Sequence, residues 1–214
     1  MFTIVSRLDS YRGDASEDHA LILRAAPKTL VLAVASGSAA PLAIETVQLE
    51  GAKLAQRGSQ VFSGFFQALD TALTARDAGQ ATLIALCLTP RQIVGASVGD
   101  SEAWWITAEG HFDLTEAQKR KPYLGTGAAE PIPFELKLTQ PGTLLLATDG
   151  LFKYAEPLAI TEAVRTAESL EAAADALLAL AAPVGRFYDD LALVLVRLDT
   201  IGPWTRFLSR FKAG

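Results

Sequence analysis

The sequence is poor in the residues that build disulfide-linked or zinc-bound proteins. Among 214 residues there is one cysteine, Cys87, and there are two histidines. A single cysteine can form neither a disulfide within the chain nor a cysteine-based zinc site. Residues 1–14 also lack the basic segment followed by an apolar segment that marks a secretory signal peptide. We therefore expect a cytoplasmic protein.

Basic clusters and long apolar runs are also scarce. The net charge is −5, and basic residues cluster only at residues 119–121 and near the end of the chain. This distribution argues against nucleic acid or an acidic membrane as the main partner and favours chemistry that depends on a cation. The apolar runs are interrupted well before the roughly 20 residues that a membrane-spanning helix needs. The sequence thus predicts no nucleic-acid partner and no transmembrane segment.

The composition is that of a folded domain, with 50% hydrophobic and 20% charged residues. A chain of this size buries about 70% of its extended-chain surface on folding, so one core suffices without disulfides. We predict a single domain over residues 1–200. The oligomeric state does not follow from the sequence.

The last residues carry a separate helical pattern. Trp204, Phe207, Leu208 and Phe211 recur at the spacing of one helix face. We predict a short amphipathic helix over residues 201–214. Its apolar face either docks on the domain or anchors the chain to a partner or an anionic membrane.

Hydrophobic periodicity predicts an α+β fold. The predicted elements in chain order are strands at 2–8, 19–25 and 29–37, two helices within 39–75, several strands from 81 onward, a helical segment at 159–182 and a strand at 191–198. Pro27 and Lys28 separate the second and third strands, which we expect to form a hairpin. Because helix pairs interrupt runs of strands rather than alternating with single strands, we expect an antiparallel sandwich with helices outside.

Three aspartates lie where strongly apolar strands end or begin. Asp100 ends QIVGASVGD, Asp149 ends TLLLATD, and Asp189 precedes DLALVLV. A single aspartate at a strand end is often only a turn residue or a helix cap. Converging carboxylates, however, raise one another's pKa unless a cation neutralises them. Oxygen ligands without cysteine or a histidine cluster favour Mg²⁺ or Mn²⁺ over zinc.

These segments resemble the motifs of a known enzyme family. The strings SED at 16–18, GDS at 99–101, LLLATDGLFKY at 144–154 and DDLALVLVRL at 189–198 are similar, in order and spacing, to motifs of the metal-dependent Ser/Thr phosphatases of type 2C. The resemblance implies a four-layer αββα sandwich of two antiparallel sheets flanked by helix pairs. It also implies a binuclear metal centre at one end of the sheets, where an activated water attacks phosphoserine or phosphothreonine in a protein substrate.

The resemblance implies a set of site residues as well. The residues implied for metal binding are Glu17, Asp18, Gly37, Asp100, Asp149 and Asp189, and those implied for catalysis are Arg12, Asp149 and Asp189. Asp149 and Asp189 would share one ion, and Arg12 would bind the substrate phosphate. The implied cofactors are one or two Mg²⁺ or Mn²⁺ ions, and the implied partner is a phosphorylated protein.

One position departs from the family pattern. Ser36 precedes Gly37 where the family has an aspartate whose carboxylate bridges both metal ions. A serine hydroxyl is neutral and a poor metal ligand, so we expect weakened metal binding and weak hydrolysis. The alternative is a catalytically impaired module of the same fold that binds a phosphoprotein or a signalling partner.

Other candidate reactive residues have structural interpretations. Cys87 lies in an apolar run and lacks an arginine at the spacing of a cysteine-dependent phosphatase, so we expect a core residue. Ser97 completes a G-x-S-x-G match, but a strand-like run follows it instead of a helix, which predicts a strand residue. For His19, a strand-edge position is favoured over a role as proton donor.

Overall fold

A computed structural model describes residues 2–9, 16–55, 59–182 and 187–200 of the chain. The strands are β1 (Phe2–Asp9), β2 (Asp18–Ala26), β3 (Thr29–Ser36), β4 (Leu83–Leu88), β5 (Gln92–Val98), β6 (Glu102–Thr107), β7 (Gly110–Asp113), β8 (Ile132–Lys137), β9 (Gly142–Ala147) and β10 (Leu191–Leu198). The helices are α1 (Ala40–Leu54), α2 (Ser59–Ala75), α3 (Asp149–Phe152), α4 (Pro157–Thr166) and α5 (Leu170–Ala181).

The strands form two antiparallel sheets of five strands each. One sheet has the order β1-β10-β9-β6-β7, and the other has the order β2-β3-β4-β5-β8. The predicted hairpin is β2 and β3, in which Asp18 lies opposite Ser36. The predicted α+β class with two antiparallel sheets is confirmed.

The core is layered, because the inner strands bury side chains on both faces. In β3, Val31 and Ala33 pack toward Phe62 and Phe66 of α2. Leu32, the residue between them, points to the other face and packs in the cluster between the two sheets. A third cluster joins the other sheet to α4 and α5. The four layers are therefore helices, sheet, sheet and helices, as the resemblance implies.

Two helical details differ from the sequence-based prediction. The helical segment predicted at 159–182 consists of α4 and α5, which meet at a cap. There the Ser169 hydroxyl accepts a hydrogen bond from the Ala172 backbone N–H at 3.0 Å. The short helix α3, which follows β9 directly, was not predicted, since its four residues are too few to show a helical period.

The segment between β7 and β8 is tied to α2 by Asp70. Its buried carboxylate accepts hydrogen bonds from the backbone N–H groups of Gly125, Gly127 and Ala129 at 2.6, 3.2 and 3.0 Å. Leu124, directly before these three residues, forms an isolated bridge with Ala81 before β4. The loop is therefore fixed against the body of the domain.

Some of the sequence-based predictions concern parts of the chain outside the described residues. These are Arg12 and the amphipathic helix over 201–214, so the division into a domain and a terminal helix stays a prediction. Within the described ranges, no helix is both long enough and apolar enough to span a membrane.

Candidate metal centre

Residues of both sheets meet at one end of the sandwich. In one sheet β2 begins at Asp18 opposite the last residue of β3. In the other sheet Thr148 and Asp149 follow β9 and lie beside the start of β10. The Thr148 hydroxyl donates a hydrogen bond of 2.5 Å to Oδ2 of Asp18, which links the two sheets at this end.

Asp149 and Asp189 converge on one positive charge. Nζ of Lys153 lies 2.6 Å from Oδ2 of Asp149 and 2.8 Å from Oδ2 of Asp189. The two carboxylate oxygens are therefore no farther apart than the sum of these distances. Lys153 follows Asp149 by one helical turn, a spacing at which an acidic and a basic side chain face each other.

The charges of this group perturb one another. Burial raises the pKa of Asp149, the Lys153 ammonium group acts against the rise, and the charges of Asp100 and Asp189 add to it. Burial acts to lower the pKa of Lys153, but the two carboxylates outweigh it and raise that pKa above its ordinary value. The arrangement thus holds a cation firmly between two carboxylates.

Asp18 occupies a more buried position next to this pair. Its exposed fraction is 3%, and the side chains of Ser36 and Thr148 hydrogen-bond to it. Burial raises the pKa of Asp18 to about 6, the two hydroxyl groups act against the rise, and Asp190 and Asp149 add to it. The carboxylate of Asp18 is therefore held by hydroxyl groups.

Ser36 and Gly37 lie at the turn from β3 into α1. The backbone N–H of Ser36 donates to Oγ1 of Thr82 at 3.1 Å, and its carbonyl accepts from the Thr82 N–H at 2.9 Å. Gly37 has φ +110°, and a Cβ there would lie 2.6 Å from the Gln80 carbonyl oxygen. Its own carbonyl accepts the Ala40 N–H at 2.9 Å. The structure thus gives the predicted ligand carbonyl of Gly37 a role at the start of α1.

Glu17 and Asp100 differ in how they relate to this group. Glu17 has an exposed side chain, and its backbone N–H donates to Oδ2 of Asp190 at 2.9 Å. Asp100 is half-buried in the turn between β5 and β6, close enough to raise the pKa of Asp149. The structure therefore brings Asp18, Asp100, Asp149 and Asp189 into one region, whereas it leaves the Glu17 side chain in solvent.

The donor set fits one cation. Among the described residues, no three side chains of His, Cys, Asp and Glu are close enough together to form a metal site as they stand. Asp149 and Asp189, however, both direct an oxygen at the Lys153 ammonium, which marks a point suited to a cation. Asp18 is engaged by the Thr148 and Ser36 hydroxyl groups. Carboxylate oxygens are the ligands that Mg²⁺ and Mn²⁺ prefer, and the binding of one such ion by Asp149 and Asp189 stays a prediction.

Sequence reasoning missed two residues of this site. The spacing of Lys153 from Asp149, with the acidic residue first, would have indicated this pair only if a helix had been predicted there. Thr148 has no comparable signal, because its contact with Asp18 joins residues from different sheets.

The structural interpretations of the other reactive residues agree with the structure. Cys87 is buried in β4, and burial raises its pKa to about 11. Ser97 is a fully buried residue of β5. His19 is the second residue of β2 and half-buried.

Comparison with known proteins places the chain in a family. The model of the family described as Stage II sporulation protein E (SpoIIE) matches residues 29–199, and the chain belongs to this family. The identification of a type-2C phosphatase relationship is confirmed by this match and by the solved structures of similar fold. No curated protein matches the sequence.

Three of the similar solved structures are bacterial proteins with sequence identity below 20%. The serine/threonine phosphatase Stp1 from Staphylococcus aureus has a TM-score of 0.78 and 18% identity, covering 94% of this chain and 96% of that one. The catalytic domain of the serine threonine protein phosphatase PstP, solved with two manganese ions, has a TM-score of 0.73 and 19% identity over 93% and 99% of the chains. RsbX, solved with magnesium, has a TM-score of 0.72 and 18% identity over 92% and 96%.

The absence of a side chain at Gly150 lets α3 pack closely against the Asp189–Asp190 segment, which gives a first prediction. A Cβ at Gly150 would lie 2.1 Å from the Asp190 carbonyl oxygen. Gly150→Ala must push α3 away from the Asp189–Asp190 segment, so we expect a loss of about 2 kcal/mol or more in the free energy of unfolding. Gly64→Ala, on α2 with nothing within 4 Å, is the matched control and should stabilise by about 0.5–1 kcal/mol. Urea denaturation measures both, and equal effects would contradict this role of Gly150.

The burial of Asp18 gives a second prediction, for protein kept free of divalent ions with a chelator. Its pKa of about 6 lies above the ordinary 3.8. Protonated Asp18 therefore favours folding, and this contribution is lost as the pH rises through 6. Ionisation of Asp18 should therefore lower the free energy of unfolding by about 1 kcal/mol between pH 5 and pH 7.5. Asp18→Asn should remove this decrease and be more stable than wild type at pH 7.5. Denaturation curves with the same pH dependence for both proteins would be evidence against it.

Proposed function

We propose that this protein hydrolyses phosphoserine and phosphothreonine in proteins in a metal-dependent reaction. The observation that carries the proposal is the convergence of Asp149 and Asp189 on one cationic point at the end of a type-2C sandwich. The family match and the phosphatases among the structural neighbours support it. They also favour a hydrolase over a module that only binds a phosphoprotein.

Asp149 and Asp189 would hold the divalent ion. Their oxygens are hard ligands of the kind that Mg²⁺ and Mn²⁺ prefer. When bound, such an ion supplies Lewis-acid polarisation of a phosphoryl oxygen and a water of lowered pKa. The hydroxyl groups of Thr148 and Ser36 hold the Asp18 carboxylate beside this pair.

The charges of the site suggest that it holds one ion tightly and turns over slowly. Ser36 contributes a neutral hydroxyl opposite Asp18 in the β2–β3 register, where the family pattern has a carboxylate. With one negative charge fewer, a second divalent ion near the first is poorly compensated. Arg12 remains the proposed ligand of the substrate phosphate on the strength of the family resemblance.

Removal of the Asp149 carboxylate tests the activity. We expect Mn²⁺-dependent release of phosphate from a phosphothreonine peptide by the wild type, and a fall of at least about 100-fold in Asp149→Asn. Metal-ion stabilisation of the transition state is worth several kcal/mol. Asp175 lies on α5 in an exposed ion pair with Arg7, and Asp175→Asn is the control that should keep the wild-type rate. An unchanged rate in Asp149→Asn would disprove this assignment.

Restoration of a carboxylate at residue 36 tests the charge argument. Ser36→Asp should tighten Mn²⁺ binding by about tenfold and raise the turnover number, because it adds a negative charge next to Asp18. Ser63→Asp adds the same charge on α2 and should change neither quantity. Calorimetric titration with MnCl₂ and phosphate release provide the two measurements. If Ser36→Asp behaves like Ser63→Asp, Ser36 does not stand at the bridging position.

A further inference from the structure

The ammonium group of Lys153 lies where the proposed function requires a divalent ion. Its Nζ is 2.6 and 2.8 Å from one oxygen each of Asp149 and Asp189. Metal–oxygen distances for hard divalent ions are about 2.0–2.6 Å. An ion bound by the same two oxygens would therefore lie at most about 5 Å from the present Nζ position, and two cations repel at that distance.

The contact of Lys153 with the two aspartates is built into the local structure. Helix α3 places Lys153 one turn after Asp149, in the order that favours an acidic and basic pair. Asp189 approaches from the segment before β10, and its other oxygen accepts the Asp190 N–H at 3.0 Å. Two carboxylates fixed by separate elements therefore share one ammonium group.

We propose that Lys153 is a tethered cation that competes with the divalent ion for Asp149 and Asp189, so that metal binding requires the ammonium group to leave the pair. The inference rests on the proposed function, because it assumes that a metal ion binds there. The Lys153 side chain is 43% exposed and has a flexible four-carbon stem, so it has room to move into solvent. The carboxylates would then bind the metal less tightly than they would without Lys153.

Calorimetric titration of MnCl₂ into three variants tests the competition. Lys153→Met removes the ammonium group while keeping a side chain of similar length, and should bind Mn²⁺ at least about tenfold more tightly than wild type. Lys153→Arg keeps the positive charge and should not tighten binding. Arg120→Gln controls for loss of a positive charge nearby, since Arg120 acts on the pKa of Glu102 but is not in the pair. It should change the affinity by less than about threefold.

The relative Mn²⁺ affinities of these variants show whether Lys153 competes with the divalent ion. Tighter binding in Lys153→Met alone supports the competition. The competition is overturned if Lys153→Met and wild type bind Mn²⁺ with equal affinity, or if Arg120→Gln gains as much affinity as Lys153→Met. In either case the proposed function stands if wild type still hydrolyses phosphopeptide with Mn²⁺. If neither wild type nor Lys153→Met binds Mn²⁺, both the competition and the metal requirement of the proposed function are wrong.

A measurement on the wild type does not depend on the folding of a variant. Amine acetylation with and without MgCl₂, followed by peptide mass spectrometry, reports the accessibility of each lysine. If the metal ion displaces Lys153, its acetylation should rise several-fold with Mg²⁺. Lys53, in an exposed pair with Glu50 on α1, should be unaffected. Unchanged acetylation of Lys153 at a Mg²⁺ concentration that supports phosphopeptide hydrolysis would overturn the displacement.

Discussion

Like-charged carboxylates stay together in a partly buried place only when counter-charges or hydrogen-bond donors compensate them. Asp18, Asp149 and Asp189 at the end of this sandwich need such compensation. The kind of compensating group differs with the burial of each carboxylate. The buried Asp18 has the hydroxyl groups of Ser36 and Thr148, whereas the half-exposed pair has the Lys153 ammonium. Hydroxyl groups suit the buried position because a fully desolvated ion pair would carry a large penalty.

Ser36 and Lys153 both reduce the unbalanced negative charge of the site. Ser36 lies opposite Asp18 in the β2–β3 register, where a carboxylate would add to the repulsion. The Lys153 ammonium neutralises part of the negative charge of Asp149 and Asp189. The solved relatives PstP and RsbX contain manganese and magnesium. In this chain the Lys153 ammonium compensates part of the negative charge of the carboxylates.

Close backbone approach makes this end of the sandwich possible. Gly37 turns β3 into α1 with a positive φ and lies against the Gln80 carbonyl, where any Cβ would collide. Gly150 allows the Asp190 carbonyl to approach the start of α3 in the same way. This close packing brings the chain segments that carry Asp149 and Asp189 together.

The sequence by itself determined the layered α+β fold, since strands buried on both faces need the continuous apolar runs at Thr29–Ser36 and Leu191–Leu198. It also singled out Asp149 and Asp189, because aspartates next to such runs stand out against the composition of strands. It did not reveal that Thr148 donates to Asp18 or that Lys153 bridges two aspartates. Only the tertiary structure decided these contacts, because they join residues as far apart as 130 positions in the chain, and only the packing of the two sheets brings such residues within hydrogen-bond distance.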